Sequence, residues 1–366
     1  MKTLAAVLRS VPAARPYSSS KPLVLEELEL APPRAGELLV RIEAASVCHS
    51  DLSVVDGSRI RPLPMALGHE AAGIVEELGA GVRDVKVGDR VVLAFVPSCG
   101  TCAECAAGRP SLCIAGALAN GQGALLHGPP LLRDAAGAEV KHHLGCSAFA
   151  TYAVVARESA TVVPSDVPGE IAALFGCAAL TGVGAVLETA RVRPGQSVAI
   201  FGLGGVGLAT VMGAVLARAH PIIAIDPIES KRRLALKLGA TSAVSPEAAA
   251  GLAVDFAFEA AGAAPVLEAA FKALKRGGTA VAIGLPHPSK TVTLPALAFA
   301  GEGKGLIGSY MGSASPQRDV PLYIGLYKAG QLPIDKLRSA TMPLSRINEA
   351  FEALATGEAV RQVLIP

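Results

Sequence analysis

Along the first third of the chain, apolar residues come in short runs broken by polar ones, as in ELLVRIEAA (37–45), AAGIVEEL (71–78) and DRVVLAFV (89–96). Runs of this length, punctuated by Pro and Gly, predict an irregular and mostly antiparallel β domain. From about Gly176 the rhythm changes to strand, helix, strand. SVAIF (197–201) and IIAID (222–226) read as buried strands, with helical periodicity over 205–218 between them. SKRRLALKLGA (230–240) predicts a helix stopped by Gly239. VDFAFEA (254–260), a helix near 265–274, TAVAIG (279–284) and GLIGSY (305–310) continue the alternation. Continuous apolar strands alternating with helices imply a parallel sheet covered on both faces. Beyond residue 316 the alternation stops. Helices at 318–328 and 347–356 lead into a last strand, VRQVLIP (360–366), expected to pack back on the first domain.

The stretch 198–217 is uncharged over twenty residues, about the length of a membrane span. Four glycines within 202–207 break that reading, because they suit a turn between strand and helix and would disrupt a helix. The chain has 366 residues, more than one hydrophobic core usually serves, so two domains are expected. Half of it is apolar, charged residues make up 17%, and the net charge of +2 is scattered. That leaves no electrostatic footprint for nucleic acid or an anionic membrane. The N-terminal apolar run is short and broken by Arg9, which is no convincing signal peptide, so a reducing cytoplasm is the expected location. There, clustered cysteines indicate metal more often than disulfides.

Gly202, Gly204 and Gly207 form G-x-G-x-x-G, with Gly205 and Val206 inside it, directly after one strand and opening a helix. Asp226 ends the next strand, nineteen residues after Gly207. The glycines let backbone approach a pyrophosphate at the helix N-terminus, and the acid can accept hydrogen bonds from both adenosine ribose hydroxyls. A 2′-phosphate would be repelled, so the pattern favours NAD over NADP.

Four of the seven cysteines, Cys99, Cys102, Cys105 and Cys113, fall within fifteen residues. Four thiolates on one short loop can close a tetrahedral zinc site, which has no open position and stabilises a fold without doing chemistry. An iron–sulfur cluster or ordinary buried thiols are the alternatives. Cys48, Cys146 and Cys177 are scattered, and spacing alone assigns them nothing.

In their order and separations, CHSD (48–51), GHEAAG (68–73), the four-cysteine lobe, GCAALTG (176–182), GLGGVG (202–207), Asp226 and VRQVLIP resemble the zinc-dependent alcohol dehydrogenases of the medium-chain dehydrogenase/reductase superfamily. The resemblance covers nearly the whole chain. It implies an α/β protein with a GroES-like catalytic domain over 1–178, completed by 311–366, and a Rossmann NAD-binding domain over 179–310. It implies a catalytic zinc on Cys48, His69 and Cys177 with the fourth position open, as well as the structural zinc of the lobe. Two thiolates and a neutral imidazole leave such a site uncharged overall.

The implied reaction is reversible oxidation of primary or secondary alcohols to aldehydes or ketones, by hydride transfer to NAD from an alkoxide at the zinc. By position, Ser50 would take the alcohol proton and pass it to a nicotinamide-ribose hydroxyl. Asp51 would orient His69, and Glu70 would lie behind the metal. His49 and Arg361 match positions at the coenzyme pyrophosphate, Lys231 one near the adenosine ribose, and Thr181 and Val206 ones that support the nicotinamide. Phe95, Leu285 and Tyr310 would line an apolar substrate slot, and Arg59 would fall near its mouth, unless it is simply a solvated surface residue. Homodimers or homotetramers joined through coenzyme-domain edges are implied, with the strand around 306–310 as the edge.

Two other functions stay open. One is glutathione-dependent formaldehyde dehydrogenase, which shares these motifs but needs cations for the glutathione carboxylates. The other is a catalytically silent zinc- and NAD-binding protein with a structural or regulatory role.

Many relatives end the proton relay on a histidine where this chain has Ser53. A serine hydroxyl does not buffer protons near neutral pH as imidazole does. Introducing Ser53→His is therefore expected to broaden or shift the pH–rate profile of turnover, and an unchanged profile would argue against the relay.

Overall fold

The computed structural model describes residues 1–366, which divide into two compact units: Met1–Cys177 with Ser315–Gly325 and Asp335–Pro366, and Ala178–Ala314 with Leu326–Ile334.

The first unit is built from β structure, as the alternating runs predict. Lys2–Leu8, Leu23–Leu30, Leu132–Arg133, Glu139–His142 and Met65–Ala66 close into a small barrel. Beside it lies a seven-stranded sheet in the order Ala160–Val162, Arg90–Leu93, Glu70–Leu78, Glu37–Ser46, Arg361–Ile365 and Arg338–Pro343, with Tyr152–Ala156 also paired to Glu37–Ser46. The central pairing runs antiparallel from Leu38 opposite Leu78 to Ser46 opposite Glu70. It slips at two points, which accounts for the irregularity of the sequence pattern there. The C-terminal strand pairs antiparallel with the end of Glu37–Ser46, placing Val363 opposite Ser46. It therefore returns to the first domain as expected. Phe351 and Phe149, both fully buried, meet edge to face at 6.1 Å and tie the helix Ile347–Ala355 into the same core.

The second unit is a six-stranded parallel sheet in the order Ser242–Val244, Ile222–Ile225, Val198–Phe201, Val254–Glu259, Leu274–Ala282 and Gly305–Gly308. Every residue of Val198–Phe201 and Ile222–Ile225 is buried, because helices cover both faces of such a sheet. The predicted helices stand at Gly205–Leu216, Glu229–Lys237 and Ala264–Lys272, each within two or three residues of its expected end. The 198–217 stretch is split between a four-residue strand and a twelve-residue helix. No single helix is long and apolar enough to cross a membrane.

A buried histidine makes the barrel sensitive to acid. His142, on the strand Glu139–His142, is fully buried, and its Nε2 accepts the backbone N–H of Leu131 at 3.2 Å. Burial, aided by the nearby Arg34 charge, pushes its pKa down to about 3. The folded chain therefore holds this ring neutral while the unfolded chain takes up a proton below the ordinary imidazole value of about 6.5. Stability that is complete above that value drains away as pH falls toward 3. Urea midpoints measured from pH 7 to 4.5 should fall more steeply for the native chain than for His142→Gln, whose amide oxygen keeps the acceptor without the charge.

Candidate metal and coenzyme sites

The start of a short helix sets the geometry of the metal site. Cys48 precedes the helix His49–Val55, and its backbone N–H donates to Asp51 Oδ2 at 3.1 Å, a reciprocal cap that fixes the first turn. Asp51, fully buried, turns its other oxygen to His69, which donates from Nδ1 to Oδ1 at 3.0 Å. With Nδ1 so engaged, Nε2 is the nitrogen of His69 left to face the thiols, and it is buried with no hydrogen-bond partner of its own. His69 follows Gly68, whose φ of +98° and contact with the Phe149 backbone leave no room for a side chain. Cys177 arrives from the turn after the segment Ala173–Phe175 and sets its sulfur 4.0 Å from that of Cys48.

The donor atoms of Cys48, His69 and Cys177 all lie within 4.8 Å of one another. Two sulfurs bound at ~2.3 Å to a tetrahedral zinc are about 3.8 Å apart. The observed separation is close to that value and far too long for a disulfide; all seven cysteines are free thiols. A buried imidazole nitrogen without a partner beside two thiols is the donor set of an open zinc site, and these residues fit that metal.

The electrostatics point the same way. Hydrogen bonding from Cys177, then the Arg361 charge, holds the Cys48 thiol well below its ordinary value despite burial. The first thiolate in turn pushes Cys177 up, so a divalent cation is what lets both ionise together. Burial opposes the charged form of His69, but the Asp51 carboxylate outweighs it and raises the pKa, so a metal cation at Nε2 would take the place of a proton there. Burial likewise opposes ionisation of Asp51, and the two histidines beside it more than offset that, leaving it ionised.

Arg361, which the resemblance puts at the pyrophosphate, is buried here, 3.2 Å from Glu70 Oε2 and 3.6 Å from Cys48 Sγ. A dry pocket holding a carboxylate and thiolates requires a cation nearby. Phe95 packs its ring edge-on to His69 at 5.6 Å, while Leu285 and Tyr310 belong to the other unit. His49 is exposed and Ser50 partly so, both in the first turn after Cys48. Ser53 donates its hydroxyl to the His49 carbonyl at 2.8 Å, one turn back in the same helix. Arg59 is partly exposed, with its backbone N–H on the Ser53 carbonyl. Cys146 is fully buried, and burial pushes its thiol up to about 12, as suits an inert core residue.

Reading the sequence missed His143. Its Nδ1 lies 3.1 Å from Asp51 Oδ1 and makes no hydrogen bond. The signal was the His142–His143 pair, two of only seven histidines in the chain.

The four-cysteine lobe also comes together, with all its sulfurs within 4.8 Å of one another. Backbone N–H groups of Cys102, Cys99 and Gly116 point at the sulfurs of Cys99, Cys113 and Cys113 at 3.2–3.3 Å. Such N–H groups, from Thr101 and Cys102, lower the Cys99 thiol to about 6. Burial and the neighbouring thiols push Cys105 up to about 12. A cation at the centre would relieve that repulsion, so the lobe fits a closed tetrahedral metal.

In the second unit, Gly202 has φ +92°, and a Cβ there would lie 2.8 Å from the Ala261 nitrogen. A Cβ on Gly207 would sit 1.8 Å from the Gly202 oxygen, whereas one on Gly204 would meet nothing within 4 Å. The first and third glycines are thus required by the turn, and the second leaves open space at the N-terminus of the helix Gly205–Leu216, as a bound pyrophosphate needs. Asp226 accepts the Leu203 and Ile228 N–H groups, both at 2.8 Å, and so holds the turn from the end of the neighbouring strand. A Cβ on Gly182 would lie 2.4 Å from the Val206 oxygen, so the helix that carries Thr181 packs closely on the one that carries Val206; the Thr181 hydroxyl is buried without a partner. Lys231 is about nine-tenths buried in the helix Glu229–Lys237.

Residues 34–168 match the alcohol dehydrogenase GroES-like domain, and residues 205–328 match the zinc-binding dehydrogenase domain. The NDMA-dependent alcohol dehydrogenase of Amycolatopsis methanolica is 37% identical over 377 residues, covering 100% of this chain and 99% of that one. The S-(hydroxymethyl)glutathione dehydrogenase of a Synechocystis strain is 36% identical over 365 residues, covering 96% and 98%. The solved benzyl alcohol dehydrogenase of Acinetobacter calcoaceticus superposes with TM-score 0.90 at 31% identity, covering 100% and 99%. A parallel nucleotide-type sheet, a β domain carrying two metal-donor clusters and these likenesses define a medium-chain oxidoreductase. Within that superfamily, the chain belongs to the zinc-dependent alcohol dehydrogenases.

The two clusters should separate under mutation. Cys177→Ser is expected to lose one zinc per chain and more than ~100-fold in turnover, with an unchanged thermal midpoint. Cys105→Ser should also lose one zinc but lower the midpoint, as atomic absorption and calorimetry would show.

Proposed function

We propose that the chain is an NAD-dependent alcohol dehydrogenase, interconverting primary or secondary alcohols with aldehydes or ketones. The observation that carries this reading is the buried donor set of Cys48, His69 and Cys177, with the Nε2 of His69 unpartnered. A zinc ion held by these three residues would supply Lewis acidity to an alcohol oxygen at its open fourth position, lowering the energy of the deprotonated form. The glycine turn and Asp226 would hold NAD, which would supply the hydride acceptor; Lys231 would serve its adenosine ribose and Thr181 and Val206 its nicotinamide.

The chain's own groups handle the proton. Ser50 Oγ would accept it from the alcohol, and a nicotinamide-ribose hydroxyl would be its next acceptor. Ser53 has committed its hydroxyl to the His49 carbonyl, so the proton leaves through water or the exposed His49 imidazole, which also serves the pyrophosphate. Asp51 keeps Nδ1 of His69 protonated, so that Nε2 stays a donor to metal. Glu70 and Arg361 balance charge beneath the thiolates. Phe95, packed against His69, would give the substrate an apolar wall, which favours medium aliphatic or aromatic alcohols.

The domain assignment is a catalytic portion over 1–178 with 311–366 and a coenzyme portion over 179–310. Seven free thiols suit a reducing compartment, the cytoplasm. The edge strand Gly305–Gly308 of the parallel sheet is our choice for joining subunits into a homodimer or homotetramer.

A second reading is favoured by the Synechocystis relative: oxidation of the glutathione adduct of formaldehyde. Mixing the protein with NAD and a panel of alcohols including benzyl alcohol should produce growing NADH absorbance, with NADP far less effective. Turnover of formaldehyde only when glutathione is present would replace this proposal with the second reading. Dependence on added NDMA would show that the coenzyme is recycled without leaving. Silence across the whole panel from zinc-loaded protein would leave a binding protein without catalysis.

A further inference from the structure

We propose that His143 is a positioning residue of the metal site, acting on His69 through the carboxylate they share; this rests on the reading of Cys48, His69 and Cys177 as zinc ligands. Asp51 Oδ1 has two imidazole nitrogens beside it, His69 Nδ1 at 3.0 Å and His143 Nδ1 at 3.1 Å. The two rings stand nearly perpendicular, with centroids 5.6 Å apart. Both histidines and Asp51 are at most 1% exposed, so no water competes for that oxygen. His143 Nδ1 is buried and makes no hydrogen bond, so its approach to Asp51 Oδ1 is a close polar contact, and Asp51 Oδ2 is already committed to the Cys48 backbone. Three groups thereby meet the carboxylate, the Cys48 N–H at Oδ2 and the two imidazoles at Oδ1.

The backbone around His143 is built to hold it there. Leu144 and Ser147 both have φ of 51°, a left-handed conformation that non-glycine residues adopt only when the surroundings impose it. The loop is stitched to the strand and turn that lead to His69. The Ser147 hydroxyl receives the His143 N–H at 3.0 Å and donates to the Ala66 carbonyl at 2.9 Å. Phe149 and Ala148 N–H groups reach the Leu67 and Gly68 carbonyls, both at 3.0 Å. Two strained residues thus fix the separation of His143 from His69, and packing alone asks only for a ring of that size.

The test uses the zinc-loaded protein and measures release to a chromogenic chelator, with the four-cysteine lobe as an internal standard. In His143→Phe one of the two zincs should leave 10–100-fold faster than in the native chain, while the other leaves at its native rate. His143→Asn, whose amide nitrogen can stand where Nδ1 stood, should stay within about threefold of native. His143→Gln places its amide one bond further out and should behave like the Phe variant. If the Phe variant does not fold, the Asn–Gln contrast decides. Cobalt(II) placed at the Cys48, His69 and Cys177 site should show shifted visible bands in Gln and Phe and native bands in Asn. Native release rates in every variant, or an Asn variant as leaky as Phe, would overturn the inference while leaving the zinc assignment intact. A native chain that holds zinc only in the lobe would overturn both.

Discussion

One buried carboxylate organises the metal site. Asp51 is fully enclosed, and an ionised group in such a place is costly unless every lone pair is met. The groups that meet it come from three separate parts of the chain: the Cys48 backbone and His69 as hydrogen-bond partners, and His143 in close contact. The same contacts that compensate its burial fix where Cys48 begins its helix and which nitrogen of His69 faces the thiols. Charge compensation and aim are therefore a single set of interactions. Removing that charge would release the tautomer of His69 and the cap before His49 together.

The two metal-donor clusters differ in how they are assembled. The lobe draws its four sulfurs from one short loop, and backbone N–H groups of the same loop already point at them. Little loop closure is needed before the metal arrives. The other cluster joins Cys48 to a cysteine 129 residues away and takes its balancing cation, Arg361, from the last strand of the chain. That strand pairs with Glu37–Ser46, whose last residue lies opposite Glu70, and so brings the guanidinium beneath the thiolates. A closed, local site suits a staple, whereas a site gathered from distant segments can leave one coordination position for chemistry.

The coenzyme turn obeys a different constraint, that of close approach. Gly202 and Gly207 are glycines because backbone occupies the space a side chain would need. Gly204 has open space around it, so no contact within the folded chain requires a glycine there. Asp226, beyond any contact with ribose, ties the turn to its own strand through Leu203.

The sequence by itself determined the fold class and the local chemistry. The period of apolar residues separated the β unit from the parallel sheet, the glycine turn announced its strand and helix, and four cysteines in fifteen residues announced a metal lobe. Each of these signals is local, and local spacing survives in a linear pattern. Cys48, His69 and Cys177 were legible only through family resemblance, since nothing in their spacing says that they meet. Tertiary structure alone decided that Arg361 is buried beneath the thiolates, that Ser53 bonds back to His49, and that His143 shares an oxygen with His69. Those outcomes depend on strand pairing and on a strained loop, and a contact between residues 92 apart leaves no period to read.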